Sequence, residues 1–367
     1  MRRLCIVQLL PALDSGGVER STLEIARALV AAGHRSLVIS AGGRLLPQLQ
    51  AEGSEHIVLE IGAKSLRTLT RVGALRNALT RVRPDIVHAR SRLPAWLAIA
   101  ALRSMPEPKP HFVTSVHGLN SPGWYGSALT RGERVICVSE TVRAHVLRLW
   151  PRTDADKLQV IEPGIDVGEF PRGFRASDSW RENFFAQFPA LNGGKLLLLP
   201  GRGTRLKGHA HAIELLARVR AANVDARLCL FGAREPGREK YLAELETLAH
   251  RLNVAEALAI TPPRPDIRDA YSIADLVLQL STQPEAFGRT VVEALAIGRP
   301  VLGCEHGGVG DLLGRYYPAG LVAISDGEQL AARAQALLQA PPPVSSTLLP
   351  TLSAMQQKTL DLYASLA

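Results

Sequence analysis

Aromatic residues make up only 5% of this 367-residue chain, and no recognisable nucleic-acid module or base-stacking platform stands out in it. Cysteine is as sparse. Cys5, Cys137, Cys229 and Cys304 lie far apart, form no C-x-x-C pair and have no histidine at zinc-ligand spacing, so the sequence encodes neither a disulfide framework nor a structural zinc site. Three of the four sit inside apolar runs and read as reduced core thiols. The most apolar short run, Leu93 to Leu102, is too short to cross a bilayer. Met1-Arg2-Arg3 passes directly into an apolar, strand-like run without a small-residue cleavage site, which argues against a secretory leader. The two longest stretches without a charged residue, 110–130 and 334–357, are rich in Pro, Ser, Thr, Gly and Gln. These absences leave a globular protein expected in the cytoplasm.

What is present fits two domains of ordinary size: 46% apolar and 21% charged residues, with 31 Gly and 24 Pro spread along the chain. The net charge of +9 is uneven. Residues 1–170 hold 22 Lys and Arg against 15 Asp and Glu, whereas the remainder holds 21 against 19. A basic first half is compatible with nucleic acid, an anionic membrane surface or phosphorylated substrates, and charge alone does not choose among them.

Short apolar runs alternate with segments of helical period from the first residue, the pattern of an α/β protein with parallel sheets. Strands are predicted near 4–9, 36–40, 56–60, 85–89, 112–116 and 134–138, with helices near 18–32, 65–82, 93–103 and 140–149. Between 162 and 194 the pattern lapses into Pro163-Gly164, Pro171, Gly173 and Asn192-Gly193-Gly194, as an interdomain linker would. It then restarts, with strands near 195–200, 226–232, 257–260, 275–280, 300–303 and 320–323 and helices near 208–222, 237–252, 266–273, 288–298 and 326–339. The expected division is therefore a first domain over 1–170, a second over 171–345, and a C-terminal helix within 346–367 that can pack back on the first domain.

In such folds ligands meet the C-terminal ends of strands, so the loops there carry the information. After the first strand, Gly16-Gly17 enters a helix whose free N–H groups favour an anion; alone, a glycine pair is more often a tight turn. The second domain opens with a strand and then Gly201-Arg202-Gly203-Thr204-Arg205-Leu206-Lys207-Gly208. Arg202 and Lys207 there frame a glycine-containing loop before a helix, a place for a diphosphate or simply a solvated basic turn. The Walker pattern G-x-x-x-x-G-K-[ST] is absent, which disfavours ATP hydrolysis. Glu285 and Glu293, eight residues apart in Pro284-Glu285-Ala286-Phe287-Gly288-Arg289-Thr290-Val291-Val292-Glu293, lie in a loop and in the helix it opens. Carboxylates there can accept hydrogen bonds from vicinal hydroxyls, and the apolar flanks of Glu293 argue against a merely solvated position.

The whole constellation resembles the retaining glycosyltransferases of family 4. Gly16-Gly17 with Glu19, Val116-His117-Gly118, Val138-Ser139, Gly164-Ile165-Asp166 before Phe170, Gly201-Arg202 with Lys207, Pro284 to Gly288 with Glu293-Ala294, and Gly307-Gly308 near Asp311 follow the family's order over nearly the whole chain. Asp85-Ile86-Val87-His88-Ala89-Arg90 and Gln283-Pro284-Glu285 look most like proteobacterial enzymes of lipopolysaccharide and surface-polysaccharide assembly. The resemblance implies the GT-B fold, two doubly wound, Rossmann-like domains facing across a cleft. It implies transfer of a sugar from a nucleotide-sugar donor, UDP before GDP, to a lipid-linked or lipopolysaccharide glycan acceptor. Arg202 and Lys207 would neutralise the donor diphosphate, Glu285 would hold donor-sugar hydroxyls, and Glu293 the ribose. His117 would lie beside the donor sugar. Gly16, Gly17, Gly201, Phe287 and Gly288 would line the donor, and the base would meet backbone around Pro263 and Arg264. Where the family commonly has Glu and Asn this chain has Asp311 and Pro163, so neither is given a catalytic role. No cofactor and no metal is expected, and Asp154-Ala155-Asp156 reads as a surface loop rather than a metal-binding D-x-D. The alternatives are a nucleotide-sugar epimerase of the same fold and a non-catalytic protein that binds nucleotides or nucleic acid.

Between Glu60 and Asp85 there is no acidic residue, while Leu66, Leu69, Val72, Leu75, Leu79 and Val82 recur at helical spacing among Lys64, Arg67, Arg71, Arg76, Arg81 and Arg83. Lys64, Arg67 and Arg71 share one face of this basic amphipathic segment. They are expected to dock the first domain peripherally on the anionic inner leaflet of the inner membrane, near its glycolipid acceptor.

Overall fold

A computed structural model describes residues 2–14, 16–63, 68, 70–323, 326–345 and 349–367. The chain divides into two units, Met1–Pro163 with Leu352–Ala367, and Gly164–Thr351. Each is built on one parallel sheet. The first boundary thus falls at Pro163 rather than at 170, because the chain from Gly164 onward packs with the second sheet: Ile165 N–H donates to Pro350 O at 3.0 Å, and Phe170 is buried in the second core.

In the first unit β1 (Cys5–Leu9), β2 (Arg35–Ser40), β3 (Glu55–Val58), β4 (Ile86–Ala89), β5 (His111–Val116), β6 (Arg134–Cys137) and β7 (Leu158–Val160) stand in the order 3-2-1-4-5-6-7. Every described pairing is parallel, with Val7 beside both Leu37 and Val87. The central strands are almost wholly apolar because helices cover both faces. Those helices are α1 (Gly17–Ala31), α2 (Leu46–Ala51), α3 (Arg71–Val82), α4 (Arg92–Arg103) and α5 (Glu140–Leu149). Ser139 caps α5, its hydroxyl accepting from Val142 N–H at 3.1 Å. The expected helix over 65–82 is seen as α3 from Arg71; of the residues before it, Lys64 and Arg67 lie outside the described residues, and Arg71 is exposed at the helix start. Leu75, Ala78 and Leu79 turn inward, while Arg76 and Arg81 face solvent.

The second unit begins with α6 (Asp178–Gln187), a helix inside what reads in the sequence as an irregular linker. Its apolar spacing is poor, and Phe184 alone of its residues is buried. The sheet then forms from β8 (Lys195–Pro200), β9 (Ala226–Phe231), β10 (Leu258–Ile260), β11 (Leu276–Gln279), β12 (Val301–Cys304) and β13 (Leu321–Val322), ordered 10-9-8-11-12-13. Helices α7 (His209–Ala221), α8 (Glu239–Arg251), α9 (Ile267–Ile273), α10 (Arg289–Ile297), α11 (Gly307–Tyr316) and α12 (Gly327–Gln339) complete it. In each sheet the strand order reverses once, between β1 and β4 and between β8 and β11, which opens a crevice at the carboxyl ends of those strands.

The last helix, α13 (Leu352–Ala364), belongs to the first unit. Met355, Leu362 and Tyr363 are buried with Leu4, Ile6, Ile25 and Ile136, each burial contributing roughly 1.5–3 kcal/mol. No helix among the described residues is long and apolar enough to cross a membrane.

Candidate functional site

The second sheet gathers its chemistry at the reversal between β8 and β11. Gly201 follows β8 at φ 156°, and the aliphatic stem of Lys207 packs over it, 3.3 Å from where a Cβ would stand. Gly208, at φ 75°, opens α7 so close to β11 that a Cβ there would lie 1.8 Å from Leu280 O. Only glycine permits that approach. The turn is tied across by Thr282 N–H donating to Leu206 O at 2.8 Å, so the loops after the two strands form one wall.

On that wall Lys207 Nζ meets Glu285 Oε1 at 2.7 Å, with both side chains about one quarter exposed. The Ser281 hydroxyl lies between Glu285 Oε1 and Gln279 Oε1, the latter at 3.1 Å, with one proton to share between the two acceptors, and Gln279 donates to Thr290 Oγ1 at 3.2 Å. Strand, loop and helix therefore share one polar chain that fixes the carboxylate. The glycine pair at the start of α11 lets that helix press against the loop from the other side. A Cβ on Gly307 would meet Glu285 N and O at 2.8 and 2.7 Å, one on Gly308 would meet Phe287 Cα at 2.5 Å, and Gly308 N–H donates to Glu285 O at 2.7 Å. Gly288, at φ 130°, precedes α10, and Phe287 is buried beside it. Arg202 is exposed, and its side chain forms no ion pair among the described residues. The site thus offers one paired cation, one cation turned to solvent, and the N-termini of α7 and α10, an arrangement suited to a diphosphate.

Glu293 lies one turn into α10 and is only 5% exposed; Tyr271 in α9 donates to its Oε2 at 3.0 Å, so the carboxylate is buried with a partner rather than solvated. Arg264 is engaged elsewhere. Its guanidinium forks onto Asp266 at 2.9 and 2.6 Å, bonds Gln187 at 2.7 Å and lies over the ring of Phe184, and it holds the Asp266 carboxyl below the usual carboxylate range. The backbone just before it does reach the site's edge: Pro263 Cα and Gly201 O each lie 3.8 Å from the Cβ position of Gly232. Two further side chains sit at this edge that the sequence did not single out. His209, the first residue of α7, is fully buried with Nε2 unpartnered, and burial brings its pKa down to about 4. Cys304, at the end of β12, is pushed up to about 12 by burial and then by the nearby Glu285 carboxylate. A lone histidine or cysteine in an apolar run gives no sequence signal for such placement.

In the first unit, Gly16 at φ 144° precedes α1, and the Glu19 carboxylate folds back over it, 2.5 Å from its Cβ position, while Gly17 is open. The first turn of this helix therefore has a carboxylate beside it already. His117 follows β5 and lines a small cavity with His88, Arg90, Ser115 and Ser21. His88 bridges Tyr363 Oη and Ser115 Oγ at 2.6 Å each, and burial holds its pKa well below the ordinary value. Arg90, buried, donates to Gln8 Oε1 and Ser21 Oγ at 2.6 Å. Asp154 caps the turn over 155–157, accepting from Asp156 N–H at 3.0 Å, and both carboxylates are exposed. Among the described residues no three His, Cys, Asp or Glu side chains are grouped to hold a metal ion.

Each of the two units resembles known proteins. Residues 15–169 match the family described as Glycosyltransferase Family 4, and residues 181–347 match Glycosyl transferases group 1. Among curated proteins, a D-inositol 3-phosphate glycosyltransferase of Xylanimonas cellulosilytica is 28% identical over 186 residues, 48% of this chain and 43% of the relative. One of Catenulispora acidiphila is 26% identical over 329 residues, 81% and 76% of the two chains. The first alignment spans less than half of that relative's length. Among solved structures, a glycosyltransferase of Rickettsia africae superposes with a TM-score of 0.85 at 26% identity, covering 100% of this chain and 99% of the other. HepE of Anabaena, solved with UDP and glucose, gives 0.79 at 21%, covering 99% and 100%. WaaG, a glycosyltransferase involved in lipopolysaccharide biosynthesis, gives 0.69 at 20%, covering 98% and 96%; these last two show the GT-B fold alone. With a glycosyltransferase family 4 domain followed by a group 1 domain, this chain belongs to the glycosyltransferases of GT-B type.

Proposed function

We propose that the chain is a retaining glycosyltransferase that moves a sugar from a UDP-sugar, or secondarily a GDP-sugar, to a glycolipid or lipopolysaccharide-type glycan acceptor at the inner face of the membrane. The observation that carries this reading is the Lys207–Glu285 pair at the β8/β11 reversal, walled by Gly201, Gly208, Gly307 and Gly308. Departure of a nucleoside diphosphate leaves negative charge on the phosphate oxygens and positive character on the sugar ring. Lys207 and Arg202 would stabilise the former without a metal, and Glu285, freed from part of its pairing when the diphosphate takes Lys207, would accept hydrogen bonds from the sugar. Glu293, oriented by Tyr271, would hold the ribose, and His117 of the first unit would stand beside the donor sugar. Front-face attack, with the leaving phosphate taking the acceptor proton, accounts for retention without a nucleophilic carboxylate. HepE binds UDP and glucose and WaaG serves lipopolysaccharide biosynthesis, which supports UDP and a surface glycan in the same coarse sense.

The test combines a thermal-shift screen of nucleotides and nucleotide sugars with turnover in excess EDTA. UDP or a UDP-sugar is expected to raise the melting temperature, transfer is expected to persist in EDTA, and Glu285→Gln is expected to lower transfer more than Glu293→Gln. Loss of transfer in EDTA with recovery on adding manganese defeats the metal-free reading. Sugar isomerisation without any acceptor favours an epimerase.

A further inference from the structure

Three of the four tryptophans lie in one cluster of the first unit, outside the groups considered so far. Trp124, in the loop that runs from His117 toward β6, is 73% exposed. Its ring packs against Trp96 of α4 at 5.3 Å and 58°, and against Tyr125 at 6.0 Å and 74°. The cluster is held by its own polar atoms. Trp96 Nε1 donates to Tyr125 O at 3.0 Å, Trp150 Nε1 donates to Gly123 O at 3.2 Å, and Ser127 donates through both its hydroxyl and its N–H to Trp124 O at 2.6 and 3.1 Å. Two guanidinium groups stack on the flanking rings, Arg131 over Trp96 at 4.6 Å and Arg92 over Tyr125 at 5.1 Å. Neither is ion-paired with a carboxylate among the described residues.

The exposed indole, tilted against one ring and edge-on to another, presents its outer face in a fixed orientation. A single indole face matches one pyranose ring, whose axial C–H bonds carry partial positive charge toward the negative π surface. The two cations without carboxylate partners complement an anionic substituent on that ring. A lipid surface fits less well: among the described residues of the first unit the other exposed large hydrophobic side chain, Val58, lies on the edge strand β3, and none of them joins Trp124 to enter acyl chains. We propose that Trp124, with Arg92 and Arg131, forms a subsite for a phosphorylated or otherwise acidic sugar ring of the acceptor. Its assignment to the acceptor rests on the transferase reading; its affinity for the sugar does not.

The test needs no nucleotide. The full chain is titrated with glucose 6-phosphate, methyl glucoside, inorganic phosphate and vesicles of equal parts phosphatidylethanolamine and phosphatidylglycerol, followed by tryptophan fluorescence and ligand-observed NMR. Glucose 6-phosphate is expected to bind best. Trp124→Leu is expected to weaken it roughly five- to tenfold, Trp124→Phe to keep most of it, and Arg131→Gln to remove the preference over methyl glucoside. Equal binding by the parent and Trp124→Leu, each folded by circular dichroism, overturns the proposal. So does equal affinity for inorganic phosphate, or Trp124-dependent binding to vesicles and not to sugars. Sugar binding through Trp124 in a chain that never transfers leaves the subsite standing and removes the transferase reading; transfer with Trp124 irrelevant to binding does the reverse.

Discussion

The carboxyl edges of the two sheets use ionisable side chains in opposite ways. In the second unit, Lys207 and Glu285 pair while keeping about a quarter of their surface in solvent, in a wall thinned by glycines. In the first unit, Arg90 and His88 are fully withdrawn, their polar atoms shared out to Gln8, Ser21, Ser115 and Tyr363, the last of these brought in by the C-terminal helix. A charge that stays partly hydrated can be handed to a ligand at little cost; a buried one is committed to the fold, because its partners would be left unsatisfied. An ionisable side chain is therefore read as binding or structural according to its burial.

The sharpest way to break this contrast is to remove one cation from each edge. Arg202→Ala and Lys207→Ala are each expected to lower turnover about a hundredfold, near 3 kcal/mol of barrier, with unfolding in denaturant unchanged. Arg90→Met is expected to do the converse and cost about 2–3 kcal/mol of stability, since it strands the buried acceptors of Gln8 and Ser21. A stable but inactive Arg90→Met protein would make the first edge a second reaction site.

Acid unfolding sharpens the comparison within the second unit. His209 is buried neutral with a pKa of about 4, below the 6.5 of the unfolded chain. Its folded-state pKa is depressed, so below pH 6.5 the unfolded state takes up a proton that the folded state refuses, and stability falls as pH drops until the folded site titrates too. The expected loss is about 3 kcal/mol between pH 6.5 and 4. Urea unfolding of the parent and of His209→Gln at pH 7 and pH 4.5 checks this: the variant should lose less on acidification, and parallel losses would show that His209 is hydrated. A smaller effect is expected from Tyr363→Phe, about 1 kcal/mol for one buried hydrogen bond to His88, read as faster hydrogen exchange in α13 with turnover retained.

Much of the architecture was legible because strand and helix periods are strong where apolar residues are many. Strands such as 195–200 and helices such as 140–149 fall where the pattern puts them. The elements missed were those with weak patterns: β7, three residues long, α2, six residues with one buried side chain, α6, with Phe184 as its sole buried residue, and α11, whose four buried residues are masked by glycines that read as turn. Among site residues, the loop 201–208 and Glu285 announce themselves through glycine and charge beside apolar strands. Ser281 and Gln279 stand within six positions of Glu285 but are ordinary polar residues that no pattern marks out, whereas the Trp96–Trp124 contact joins two separate elements and leaves no local trace.

The sequence by itself determined two α/β units, the loops that end their strands and the glycines that bend them, because these follow from local period and backbone freedom. Only the tertiary structure decided that Lys207 and Glu285, 78 residues apart, meet at 2.7 Å, and that Tyr363 closes on His88 from 275 residues away. It also decided that Arg264 is already bound to Asp266 and Gln187. Distance along the chain hides such contacts, and burial, which fixes whether a charge is available, belongs to the packed sheet rather than to any segment of it.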